Sequence, residues 1–203
     1  MLPVILLSVL PVAAAWFWQR RACGMSALFF IALLAAGLLS LALAAVLQAV
    51  LPRSDAVNPV IRTALTEEGS RFVTLSFLFW ALRFFKNEKP PNGGAVAGMA
   101  AGLAFAAVET AAFAAYDPLA SAIRLASADI LHAACGTRCA AASLSMMSGK
   151  PVRGLALFFM AVALHAVYNL MSPRGGIFTA LAVLLAVSSL VSGLSYVSRT
   201  DSR

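Results

Sequence analysis

An all-α, polytopic transmembrane bundle is the fold class this sequence predicts, and three observations carry that reading. The 203 residues are 62% hydrophobic and 11% charged, against about 45 to 50% and about 25% in an ordinary soluble domain. Mean hydropathy is +0.90. The apolar residues fall into about seven runs of near-spanning length, separated by short stretches of Pro, Gly and charge. Residues 1–203 therefore read as a single integral membrane domain, with its chemistry-bearing core at 59–171. The net charge of +7 sits mostly between the runs, where Lys and Arg orient spans against the cytoplasmic leaflet. It gives no reason to expect a nucleic-acid partner.

The first run, residues 1–18, contains Pro3, Pro11 and an Ala13-Ala14-Ala15 stretch resembling a signal-peptidase site. It lacks a basic region in front, and its positive charges, Arg20 and Arg21, follow it, so it is expected to be a span. Met25 to Val50 is an uncharged Leu/Ala span, read as scaffold. A polar turn over 51–62 leads to a third span, Pro59 to Phe85, with Pro59 opening the helix. The loop 86–94, with Pro90, Pro91, Gly93 and Gly94, is aqueous. The fourth span, Ala95 to Ala115, continues a spacing of Gly94, Gly98 and Gly102 that lets helices approach closely. Tyr116-Asp117-Pro118 ends it. A fifth span is expected over Ala120 to Met147, a sixth over Val152 to Met171 and a seventh over Ile177 to Val197.

Lys and Arg follow spans one, three and five (Arg20 and Arg21; Lys86 and Lys89; Lys150 and Arg153), which puts the N-terminus outside and the C-terminus in the cytoplasm. Small size and the absence of a soluble domain suggest a prokaryotic inner membrane. The three cysteines make no disulfide framework. Cys135 and Cys139 share a helix face near His132, which suits small packing residues better than a soft-metal site.

Against this background the ionisable groups inside the spans stand out, because each costs about 2.5 to 3.5 kcal/mol on insertion scales. Glu67, Glu68 and Arg71 lie on span three, Glu109 on span four, Asp129, His132 and Arg138 on span five, and His165 on span six, where the Asn169 amide follows it four residues later. Glu67, Glu109 and His165 lie about two helical turns below the outer ends of their spans, and His132 about three. Unrelated polar defects would scatter over both halves of the bilayer, so the shared depth predicts one cavity open to the outside.

Neighbouring helix residues diverge by about 100°, so Glu67 and Glu68 take different environments. Arg71 is within pairing reach of either. A paired carboxylate stays ionised while a desolvated one rises toward neutrality, the split that acid/base chemistry needs. His165 and Asn169, four apart, put an imidazole and an amide on one face, suited to an oxyanion and a leaving amine. Asp129 can orient His132 or face the outer interface; the sequence leaves both open.

Glu67-Glu68-x-x-Arg71, Phe105-x-x-x-Glu109, His132 with Gly136 four later, and His165-x-x-x-Asn169 resemble, in order and one per span, the four motifs of the PrsW-type intramembrane proteases. These are relatives of the CAAX-prenyl endopeptidases of the Ras-converting type. The PrsW pattern usually has Lys at Arg71; the CAAX enzymes have His at Glu109 and place the Arg one residue later. The resemblance implies a glutamate-dependent, metal-independent intramembrane endopeptidase without a cofactor, cutting a membrane protein or peptide precursor. It implies Glu67 as the base, Glu68 paired with Arg71 (the reverse remaining open), His132 and His165 on the tetrahedral intermediate and leaving amine, Asn169 on the oxyanion, and Glu109 positioning water or an imidazole. Three alternatives stand beside it. Two His and a Glu are a familiar zinc set, although no H-E-x-x-H is present. Membrane-embedded Glu and His also serve ion-coupled transporters, although the chain shows no repeat symmetry. A non-catalytic scaffold, like the gamma-secretase scaffold subunit distantly related to this superfamily, is the third. Oligomeric state is not legible.

Overall fold

The computed structural model describes residues 7–51, 58–86 and 94–201. Among these the chain forms seven long helices, one short one and no strand. In chain order they are α1 (Leu10–Cys23), α2 (Ala27–Val50), α3 (Pro59–Lys86), α4 (Gly94–Ala114), the short α5 (Pro118–Leu125), α6 (Ala128–Met147), α7 (Pro151–Met171) and α8 (Gly176–Asp201). A 3-10 turn, Ser172–Arg174, joins the last two.

Local chemistry fixes most boundaries. Helix α1 runs past the expected end at residue 18 because Arg20 and Arg21 in its last turn suit the negative end of the helix dipole. It stops where Gly24 takes φ 63°. The Ser26 side chain accepts from the Phe29 N–H and caps α2. Asn58 accepts from the Val60 N–H ahead of α3. The expected aqueous loop after α3 lies, over 87–93, outside the described residues.

The expected fifth span is corrected. Instead of one helix from Ala120 to Met147, the chain forms α5, breaks at Ala126-Ser127 and restarts as α6. Asp117 caps α5 by accepting from the Ala120 N–H, with Pro118 in its first turn. At the break the Ser127 hydroxyl bonds back to the Ile123 carbonyl (2.9 Å) and meets the Tyr168 hydroxyl at 2.7 Å. Tertiary hydrogen bonding to α7 thus holds a corner that neither Gly nor Pro announces.

Four helical segments are long and apolar enough to cross a membrane: Ala27–Val50, Gly94–Ala114, Pro151–Arg174 and Gly176–Ser195. Helices α3 and α6 have the length but carry the charged groups. They are shielded by their neighbours: Glu68 and Arg71 on α3 are 0% exposed, and nearly all of α6 from Ala128 to Ser143 is buried. Leu28, Ile31, Val46, Phe77, Ile177, Leu184 and Val191 point outward, as lipid-facing side chains do. With long helices of this composition the chain is an integral membrane protein.

Helix α6 is central, packing against α3, α4, α7 and α8. Its seam with α4 is backbone on backbone. A Cβ at Gly98 would strike the Gly136 carbonyl, one at Gly102 the His132 carbonyl, and one at Gly136 the Gly98 carbonyl. The glycine spacing on α4 therefore serves close approach, and its contact point is the peptide of His132. The main apolar core, including Phe29, Leu33, Leu75, Phe79, Leu131 and Cys135, lies alongside this seam.

Candidate active site

Helices α3, α4, α6 and α7 bring Glu67, Glu68, Arg71, Glu109, His132 and His165 into one network, buried except at Glu109. Arg71 forks onto Glu68, with Nη1 2.6 Å from Oε1 and 2.5 Å from Oε2. It donates from Nη2 to Nδ1 of His132 at 3.1 Å. Its guanidinium lies 4.6 Å from the centre of the Phe105 ring, a cation–π contact worth about 2 kcal/mol when desolvated. Phe105 also faces the His132 ring at 5.0 Å. The aromatic residue four before Glu109 thus lines the guanidinium and one imidazole.

His132 Nε2 lies 2.9 Å from Glu109 Oε2, which pairs in turn with Arg124 at 2.8 Å. A guanidinium has no acceptor, so Nδ1 of His132 must accept from Arg71, and Nε2 then carries the proton and donates to Glu109. His165 Nδ1 is 2.7 Å from Glu68 Oε1. Glu68 is an acceptor held by Arg71, so His165 donates from Nδ1 and keeps its Nε2 lone pair free. That lone pair faces Glu67, with Nε2 3.6 Å from Oε2.

Glu67 differs from the other two glutamates. It is 7% exposed, its Oε2 has no hydrogen-bond partner, and its Oε1 receives only a long 3.4 Å contact from Gln48. Burying an unsatisfied carboxylate oxygen is costly. The divergence of Glu67 and Glu68 expected from helix geometry is present, and Arg71 pairs with Glu68.

Asn169 is half-buried one turn beyond His165 and lines a cavity of about 620 Å³ together with Thr63, Glu109, Arg124, Tyr168 and Thr179. The cavity touches the network at Glu109, and Thr63 lies one turn before Glu67 on α3. It opens at the end of the bundle that carries α5. Asp129 takes neither role left open for it: it accepts from the Thr110 hydroxyl at 2.8 Å and is 1% exposed. Cys135 and Cys139 are fully buried; the Cys139 thiol lies 3.5 Å from Glu68 Oε2 and the Cys135 thiol 3.5 Å from the Ala161 carbonyl.

Two polar groups at the site were not singled out from sequence. Gln48, on the helix read as scaffold, reaches Thr66 at 3.2 Å as well as Glu67; its signal was one amide in an otherwise apolar span. Arg124 pairs with Glu109 and lies 4.2 Å from the centre of the Phe113 ring. Its signal was a cation within the expected fifth span.

Glu67, His132 and His165 present ligand-type atoms within 4.8 Å of one another. A catalytic zinc takes three protein ligands with free lone pairs. Glu67 and His165 Nε2 have them, but both nitrogens of His132 are engaged, one by a cation. As arranged, the trio supplies two ligands and does not fit such a site.

A family model described as PrsW family intramembrane metalloprotease matches residues 15–193. No curated protein and no solved structure matches the chain.

Proposed function

We propose, for a chain that belongs to the PrsW family of intramembrane proteases, that Glu67 is the base that activates water for peptide-bond hydrolysis. The observation that carries this reading is the orphaned Oε2 of Glu67 opposite the free Nε2 of His165. Glu68 and Glu109 are occupied by Arg71 and Arg124.

In this mechanism Oε2 of Glu67 takes a proton from water as the water oxygen adds to the scissile carbonyl carbon. His165, held by its Nδ1–H on Glu68, relays the proton through Nε2 to the leaving nitrogen as the C–N bond breaks. The Asn169 amide stabilises the oxyanion, and His132 joins it only where the oxyanion replaces Glu109 as acceptor of the Nε2–H. Glu109 orients His132, and Arg124 holds Glu109. Arg71 balances the Glu68 charge and fixes the His132 tautomer. The cavity at Asn169 and Glu109 receives the peptide.

The cavity end faces away from the cytoplasm in this reading, because Arg20, Arg21, Lys86, Lys150 and Arg153 gather toward the other end. The substrate is then a membrane protein or peptide precursor cut near its extracytoplasmic border, and the membrane is a prokaryotic inner membrane. A metal-dependent reading is favoured by the proximity of Glu67, His132 and His165 and by the family description. It needs His132 to give up Arg71 or Glu109.

The test is cleavage of a panel of single-pass substrates by detergent-purified protein, with and without a strong chelator, for the native chain, Glu67→Gln and His165→Ala. Activity that survives chelation and is lost in both variants is the expected result. Loss on chelation with recovery on added zinc would overturn the metal-free mechanism.

A further inference from the structure

On the opposite flank of α6 from Glu68 and Arg71, Arg138 is buried, 4% exposed, without a counter-charge among the described residues. Its Nη1 bonds the Ala134 carbonyl at 3.1 Å and its Nε lies 3.5 Å from the Met160 sulfur. The other arginine buried among the described residues, Arg71, has Glu68. A cation held in hydrocarbon by one carbonyl and a thioether is half-satisfied.

Beside it is a cavity of about 110 Å³ lined by Thr137, Arg138, Leu157, Met160, Ser192 and Gly193. Its walls come from α6, α7 and α8. Gly193 keeps it open: a Cβ there would lie 3.2 Å from Nη1 of Arg138. Ser192 and Met160 are exposed, so the notch faces lipid.

We infer that this notch is a docking point for a transmembrane helix of another membrane protein that carries a Glu or Asp near mid-bilayer. Depth decides between that partner and an anionic lipid. Arg138 is ten residues from the start of α6 and nine from its end, about 14 Å from either at 1.5 Å per residue. Across a hydrocarbon layer of about 30 Å, that is near the middle, below the reach of a headgroup phosphate. The cavity volume suits a side-chain carboxylate, and the small residues Gly193 and Ser192 let a second helix come close. The site is separate from the glutamate network and does not depend on the protease reading.

The experiment reconstitutes the full chain in neutral vesicles and measures energy transfer to labelled polyleucine transmembrane peptides carrying one central Glu, Gln or Leu. The Glu peptide is expected to bind roughly tenfold or more tighter than the Gln peptide, the size of one charge-assisted hydrogen bond. That preference is kept in Arg138→Lys and lost in Arg138→Gln. Should Arg138→Gln fail to fold, Gly193→Leu, which fills the notch and leaves the guanidinium, must abolish it. Equal binding of the Glu and Gln peptides to the native chain would overturn the inference, as would a preference that survives Arg138→Gln or Gly193→Leu. A preference erased by anionic lipid would also overturn it, assigning the guanidinium to a headgroup.

Discussion

Nε2 of His165 stands 3.6 Å from Oε2 of Glu67. The same ring anchors through Nδ1 on Glu68, so two consecutive glutamates stand at opposite edges of one imidazole, Glu68 bonded to it and Glu67 not. Under the proposed mechanism Glu67→Gln removes the base and leaves no buried charge unpaired, so it is expected to lower proteolysis by about 10² to 10⁴ with little change in thermal stability. Glu68→Gln strips Arg71 of its partner and is expected to cost about 3 to 5 kcal/mol of stability. Parallel cleavage assays and unfolding midpoints in detergent distinguish the two; equal stability loss would contradict the assignment.

The seam between α4 and α6 gives a second expectation. Gly102→Val places a branched side chain against the His132 carbonyl. It is expected to cost at least about 1 to 3 kcal/mol, the range for overpacking, and to reduce activity because His132 moves with its peptide. Gly69→Ala is the control, since a Cβ there meets nothing within 4 Å, and it is expected to leave both midpoint and activity near native.

Glu109 connects His132 to Arg124. Glu109→Gln keeps an acceptor for the imidazole but drops the charge, while Glu109→Ala removes both. Charge-assisted bonds of about 1.5 to 3 kcal/mol put the loss in kcat/KM at about 10- to 100-fold for Gln and more for Ala. Arg124→Met is expected to act in the same direction and more weakly, because it leaves the His132–Glu109 bond in place. An Arg124→Met defect larger than that of Glu109→Ala would place Arg124 on the substrate instead.

Gln48→Leu deletes the amide that reaches Thr66 and Glu67. With one of those contacts at 3.4 Å, the expected effect is a few-fold drop in kcat, about 0.5 to 1.5 kcal/mol at most, without loss of folded protein. A kinetic comparison with the native chain reads it directly.

Much of this arrangement was legible because charge in an apolar run is rare. Glu67, Glu68, Arg71, Glu109, His132 and His165 were identifiable from composition and spacing, and helix periodicity separated the two adjacent glutamates. Pro59 and Pro118 marked helix ends because each acts through its own backbone. The break at Ala126-Ser127 was not legible, since Ala and Ser fit a helix and the corner is held by Tyr168, forty-one residues away. Gln48 and Arg124 escaped for a related reason: a single polar residue does not say which neighbour it meets. Asp129 joins Thr110, whose hydroxyl has no sequence signature.

The contact between Gly98, Gly102 and Gly136 has a mechanical consequence. Side-chain interfaces yield to stress through rotamer changes, but a seam of peptide on peptide has none to offer. The separation of α4 from α6, and with it the distance from Glu109 to His132, is therefore insulated from lateral pressure in the bilayer. Changes in lipid thickness or acyl-chain order are expected to fall on the outward-facing side chains of α2 and α8, leaving the distance from Glu109 to His132 as it is.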